Sequence, residues 1–169
     1  MLRLIGAALI FLAGSCTGIA ASAALNRRVS AFEQMERLVV FVQTQIRYSA
    51  APIWKIIRQA AGGEFSRLSF LQDAAARMEQ GEAAAKAWKN AIIAHRDDNV
   101  FTKEDFDLLI GYGSGLGSSD IAGQLLHCET YRELFRDRLQ KARAEAQTKG
   151  KLYMTLGVAG GIGVALLLY

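Results

Sequence analysis

Hydrophobic and polar positions divide this chain into three stretches. Leu4 to Leu25 is a run of 22 residues without a charge, and Leu152 to Tyr169 is another of 18. Between them apolar residues recur at helical spacing. Phe32, Met35, Val39, Val42 and Ile46 step by 3, 4, 3 and 4, which predicts one amphipathic helix stopping near Ser49. Pro52 fits the first turn of a short helix carrying Ile53, Trp54, Ile56 and Ile57, and Gly62–Gly63 ends it. A third helix carries Leu68, Leu71, Ala75 and Met78 and ends near Gly81; a fourth carries Ala84, Trp88, Ala91 and Ile92. Asp97, Asp98 and Asn99 form a polar break. Thr102 with Asp105 then reads as an N-terminal capping pair for a fifth helix carrying Phe106, Leu109 and Ile110. The sixth has the longest stripe, from Ile121 through Leu125, Cys128, Tyr131, Phe135, Leu139 and Ala142 to Ala146. No stretch between residues 26 and 151 alternates like a strand, so an all-α, antiparallel six-helix bundle is predicted.

The uncharged runs set the organisation. As helices they would reach roughly 33 Å and 27 Å, against a bilayer hydrocarbon core of about 30 Å. A domain of this size cannot enclose two helices that are apolar all round. The expectation is a transmembrane helix over 1–25, a helical bundle over 26–151 and a second transmembrane helix over 152–169. Of the 20 basic residues 19 lie in 26–151, with all 16 acidic ones, a net charge of +3 there. That balance suits an ordinary protein surface and not a nucleic-acid-binding one. Arg27, Arg28, Lys149 and Lys151 flank the runs on the bundle side and only Arg3 lies on the far side, which predicts a cytoplasmic bundle. "ASAA" (21–24) and "LAGSC" (12–16) also suit a signal peptide or a lipoprotein signal, so an exported or lipid-anchored helical protein is a competing reading. Gly14, Gly18 and Ser22 form one small-residue ridge and Gly157 and Gly161 another, which suits packing of the two spans on each other or on another subunit of a homo-oligomer.

Candidate chemistry is sparse. Cys16 and Cys128 do not suggest a disulfide framework, and Cys128 falls on the apolar stripe. His95 and His127 lack partners at metal-ligand spacing and read as surface or edge residues, and no cofactor or metal site is expected. The acidic "EDFD" (104–107) reads as a solvated first helical turn. "RELFRDRLQKAR" (132–143) interleaves basic and acidic residues, and Arg132 and Arg136 are candidates for a partner-docking face. The segment "GYGSGLGSSD" (111–120) raises a nucleotide-enzyme alternative. Its G-x-G-x-G-x-G spacing fits neither G-x-G-x-x-G nor G-x-x-x-x-G-K-[ST], and a helix precedes it where a strand is required. The competing reading is structural. Gly113, Gly115 and Gly117 serve helix approach and a turn, Gly117 ends a helix in a left-handed conformation, and Ser118 or Ser119 caps the next one.

"YGSGLGSSDIAGQ" (112–124) resembles the F/Y-G-x-x-L-G-x-x-D-x-x-x-Q signature of the stage III sporulation protein AB family, through Tyr112, Gly113, Leu116, Gly117, Asp120 and Gln124. "QIRYSAAPI" (45–53) is similar to the family's E-I-x-Y-x-x-T-P-L segment, with Gln45, Ala51 and Ile53 as departures. Trp88 and the two terminal apolar runs agree as well. The resemblance implies a non-catalytic platform in the mother-cell membrane facing the forespore, similar to F-type platform proteins of type II secretion. It implies a cytoplasmic secretion-type ATPase and other membrane components of a sporulation channel as partners. Asp120 and Gln124 become partner-binding candidates on the same ground, beside a capping or internal role.

Overall fold

The computed structural model describes residues 2–49, 51–65, 68–96 and 101–167; within these, the side chains of 2–15, 154, 156–158, 161, 162 and 164–167 are not described. Among the described residues there are six helices and no strand: α1 Leu2–Tyr48, α2 Ile53–Ala61, α3 Phe70–Glu79, α4 Ala84–Ala94, α5 Lys103–Ser114 and α6 Ile121–Leu167. Among them, too, no helix is long and apolar enough to cross a membrane. Most of what the expected transmembrane helices rest on, the side chains of residues 4–15 and much of 154–169, lies outside the described residues, as does the polar break at 97–99.

The chain divides into two compact units, residues 1–29 with 140–169, and residues 30–139. In the first, the segments from α1 and α6 meet through an ion cluster and a close approach. Arg28 donates to Glu145 Oε2 at 2.6 Å, and Lys149 donates to Glu145 Oε1 at 2.7 Å. Gly150 is buried, and a methyl placed there would lie 3.2 Å from Ser22 Oγ. Gly18 is buried too.

The second unit holds the main core. Phe32, Met35, Leu38, Val39 and Val42 of α1 are fully enclosed, as are Trp88, Leu109, Tyr112 and Phe135. Full burial of one such side chain contributes about 1.5–3 kcal/mol. Neighbouring helices pack in chain order, α2 on α3, α3 on α4 and α4 on α5. Local chemistry sets their ends. α1 stops at Tyr48, four residues before a proline whose predecessor avoids helical geometry. Pro52 stands just ahead of α2 and not in its first turn, and its carbonyl accepts from Lys55 N at 2.9 Å. Leu68 precedes α3 instead of riding on it, and accepts from Leu71 N at 2.9 Å. Gly81, φ +91°, turns α3 into α4 in the left-handed region where a side chain is disfavoured.

The capping pair of α5 is a full capping box. Thr102 Oγ1 accepts from Asp105 N at 3.4 Å and Asp105 Oδ2 accepts from Thr102 N at 2.9 Å. Asp105 corrects the reading of "EDFD" as a solvated turn. Its side chain is fully buried, and Arg138 of α6 lies 3.8 Å from Oδ1. A buried carboxylate needs such partners because it has given up its hydration.

Candidate functional site

The alternating glycines are explained by what faces them. Successive helical residues turn by about 100°, so Gly111 and Gly115 share a face and Gly113 points away from it. A methyl on Gly111 would lie 2.5 Å from the Tyr131 hydroxyl of α6, and one on Gly115 would fall inside the His127 ring of the same helix. On the other side a methyl on Gly113 would fall inside the Trp88 indole of α4. That indole donates to the Leu109 carbonyl at 2.8 Å and meets Tyr112 edge-on, ring centroids 5.5 Å apart. Gly113 is thus a residue of helix α5 and not of a turn, which corrects that part of the expectation. Gly115 follows the helix with a right-handed backbone, and Gly117, φ +72°, supplies the left-handed turn.

The amides of this segment are spent internally. Gly115 N–H donates to Tyr112 O, Leu116 N–H to Gly113 O, and Ser118 N–H to Gly115 O, at 3.2–3.3 Å. Gly117 N–H donates to the side-chain oxygen of Gln124 at 3.0 Å. A phosphate cradle requires such amides to point outward together; here they close the end of α5.

Asp120 caps α6: its Oδ1 accepts from Gly123 N at 2.9 Å. The cap is therefore Asp120, not Ser118 or Ser119. Ser118 Oγ instead donates to Gly115 O at 2.9 Å, and Ser119 Oγ accepts from Gln124 Nε2 at 3.1 Å. Gln124 is 6% exposed, and its amide also donates to Gly115 O at 2.7 Å. One buried side chain thus joins the end of α5, the turn and the start of α6. Its polar atoms are occupied, so Gln124 is an internal clamp, the role weighed for it from sequence beside partner contact.

His127 and Cys128 complete the joint. His127 Nε2 lies 2.8 Å from the Tyr112 carbonyl, which places the proton on Nε2 because a carbonyl only accepts. Its ring stacks on Tyr112 at 5.8 Å, so it belongs to the α5–α6 packing and not to the open surface. Burial pushes the Tyr112 phenol well above its ordinary range, and the adjacent Cys128 thiol adds to that. Burial likewise raises Cys128, which disfavours the reactive thiolate. Among the described residues no group of His, Cys, Asp or Glu could hold a metal ion.

Arg132 and Arg136 lie elsewhere on α6. Arg136 faces Glu36 Oε1 at 3.9 Å and Glu133 Oε1 at 3.6 Å. Arg132 lines an open groove of about 480 Å³ with Glu36, Arg37, Val40 and Phe41 of α1 and Glu64 beyond α2. Its Nε is buried without an acceptor among the described residues. Sequence reasoning reached the arginines through the charge pattern of α6 but not the α1 wall, because nothing local ties residues 36–41 to 132.

A family model described as stage III sporulation protein AB matches residues 3–169. A curated relative named "Stage III sporulation protein AB", from Bacillus subtilis (strain 168), is 25% identical over 173 residues and covers 99% of both chains. No solved structure matches. With the family match running over nearly the whole length, the chain belongs to the stage III sporulation protein AB family.

Proposed function

We propose that this protein is a non-catalytic platform, held in the mother-cell membrane by the apolar runs at its two ends, with its helical bundle in the cytoplasm. It acts in sporulation as a component of a secretion-like channel toward the forespore and engages a cytoplasmic secretion-type ATPase. The single observation that carries this reading is the family match over residues 3–169. Two features support it. The glycine signature, where a nucleotide enzyme would place its phosphates, has its amides and its Gln124 side chain occupied in joining α5 to α6. The cationic residues Arg27, Arg28, Lys149 and Lys151 flank the apolar runs on the bundle side.

The test is affinity purification of the tagged full chain from membranes of sporulating cells. The reading expects a secretion-type ATPase and other membrane proteins of the channel to be retained. Recovery of the full chain from those membranes with no ATPase retained contradicts the proposed engagement.

A further inference from the structure

We propose that the groove beside Arg132 is a docking site for a protein partner, and that it takes a segment carrying one carboxylate next to a bulky apolar side chain. The inference rests on the platform reading and adds to it where a partner is held and by what chemistry.

Arg132 is half-buried, and among the described residues it makes no hydrogen bond or ion pair. An arginine donates five N–H bonds and accepts none, and leaving a buried donor unmatched is unfavourable. The acids in reach do not relieve it. Glu36 is turned to Arg136 at 3.9 Å, and Glu64 lies on the groove without pairing with Arg132. A second guanidinium, Arg37, lines the same groove and, among the described residues, donates only to the Glu33 carbonyl of its own helix, at 3.3 Å.

Between these cations the wall is apolar. Val40 is 37% exposed, and Phe41 is half-buried with its ring 5.8 Å from that of Phe65. The groove therefore offers unpaired guanidinium donors beside exposed hydrocarbon. The strongest complement to a guanidinium is a carboxylate, which forms charge-assisted, often paired hydrogen bonds. The complement to Val40 and Phe41 is a branched or aromatic side chain. Glu36 and Glu64 hold the groove near neutrality, so a densely acidic partner gains nothing, and a single acid beside a large apolar residue fits best. At about 480 Å³ the groove holds a pair of side chains and not a folded domain, so it reads a segment projecting from its partner.

The test uses the full chain in detergent micelles, labelled with ¹⁵N at arginine, and two probes, N-acetyl-Leu-Glu-amide and N-acetyl-Leu-Gln-amide. The expected result is a shift of the Arg132 Nε–H signal on adding the Leu-Glu probe, with binding at least tenfold weaker for the Leu-Gln probe. Arg132→Lys should weaken Leu-Glu binding at least tenfold. Val40→Glu, a change at an exposed position that leaves the core untouched, should weaken it comparably. Equal binding of the two probes, no shift at Arg132 up to millimolar probe, or Leu-Glu binding unchanged by both substitutions would overturn the proposal. So would acetate binding as tightly as the Leu-Glu probe, since that would mark a bare anion site. None of these outcomes bears on ATPase retention from sporulating membranes, so the two readings can fail separately.

Discussion

Trp88 and Gly113 occupy one another's space: the indole of α4 lies where a side chain at residue 113 of α5 would begin, and its N–H is fixed on the Leu109 carbonyl. The ring cannot swing aside without losing that bond and its edge-on packing on Phe70 and Tyr112. Overpacking of a closed core costs 1–3 kcal/mol, and Gly113→Ala is expected near the top of that range, about 3 kcal/mol. Gly115→Ala should cost less, about 1–2 kcal/mol, because His127, although bonded to the Tyr112 carbonyl, is half-buried and can shift toward its exposed side, whereas Trp88 is enclosed. Urea unfolding of the full chain in detergent, followed by tryptophan fluorescence, checks the order; equal costs would refute the Trp88 argument.

Gln124 makes a different kind of joint. Gln124→Ala removes the acceptor of Gly117 N–H and one donor to Gly115 O at a part-buried joint. A hydrogen bond contributes about 0.5–1.5 kcal/mol, so a loss of about 1–2 kcal/mol is expected in the same unfolding experiment. Gln124→Glu should not rescue it, because a carboxylate cannot donate to the Gly115 carbonyl. A variant of unchanged stability would contradict the clamp.

At Gly117 the cost is conformational. A methyl there meets Ile53 Cγ2 at 3.6 Å, an ordinary contact, while φ is +72°. The left-handed region costs a side chain about 1–2 kcal/mol. Gly117→Ala should therefore lose about 1 kcal/mol, Gly117→Asn less, and Gly117→Val more because of its branching. The ranking Asn, Ala, Val in melting temperature, from highest to lowest, is the check.

Much of this was legible in the sequence. The 3–4 spacing gave six helices, and Thr102–Asp105 gave a cap that the structure completes as a capping box. Which side chain each glycine faces was not legible, because Trp88 lies 25 residues before Gly113 and no periodicity links them. One signal was available and unused: Gln124 stands one helical turn before Cys128 on the buried stripe of α6. A polar residue at such a place is held by internal bonds. Asp105 was misread for the opposite reason, since an acid in a first helical turn is ordinarily solvated and only the approach of Arg138 shows otherwise.

Losing a hydrogen bond to a charged group costs about 1.5–3 kcal/mol. Asp105→Ala removes a buried, hydrogen-bonded carboxylate facing the partly exposed Arg138, and with it half of the capping box, so a loss of about 2–3 kcal/mol is expected. Thr102→Ala should cost only about 1 kcal/mol, the ordinary value of a cap. Comparable losses at the two positions, measured by denaturant unfolding, would show that Asp105 serves as a cap alone.

Glu145 gives the pH dependence. The Lys149 ammonium, and then the Arg28 guanidinium, hold its carboxyl below the ordinary range. A lowered carboxylate stabilises the fold above its unfolded value, and that contribution fades as pH falls through the folded one. Lys149 is raised by the same contact, so its share is present below the ordinary ammonium value and fades as pH climbs through the raised one. Lys149→Ala should move the Glu145 carboxylate titration, followed by NMR below about pH 5, toward the ordinary value; an unmoved titration would sink the assignment of cause.

The central claim, a helical bundle presented to the cytoplasm from a membrane, is tested most directly by placing a cysteine at Lys141, an exposed position of α6. The full chain would be carried in right-side-out and inside-out bacterial membrane vesicles and treated with a maleimide that cannot cross a bilayer. The account predicts labelling in inside-out vesicles and protection in right-side-out ones. Labelling in right-side-out vesicles, with protection in the inside-out preparation, would contradict it.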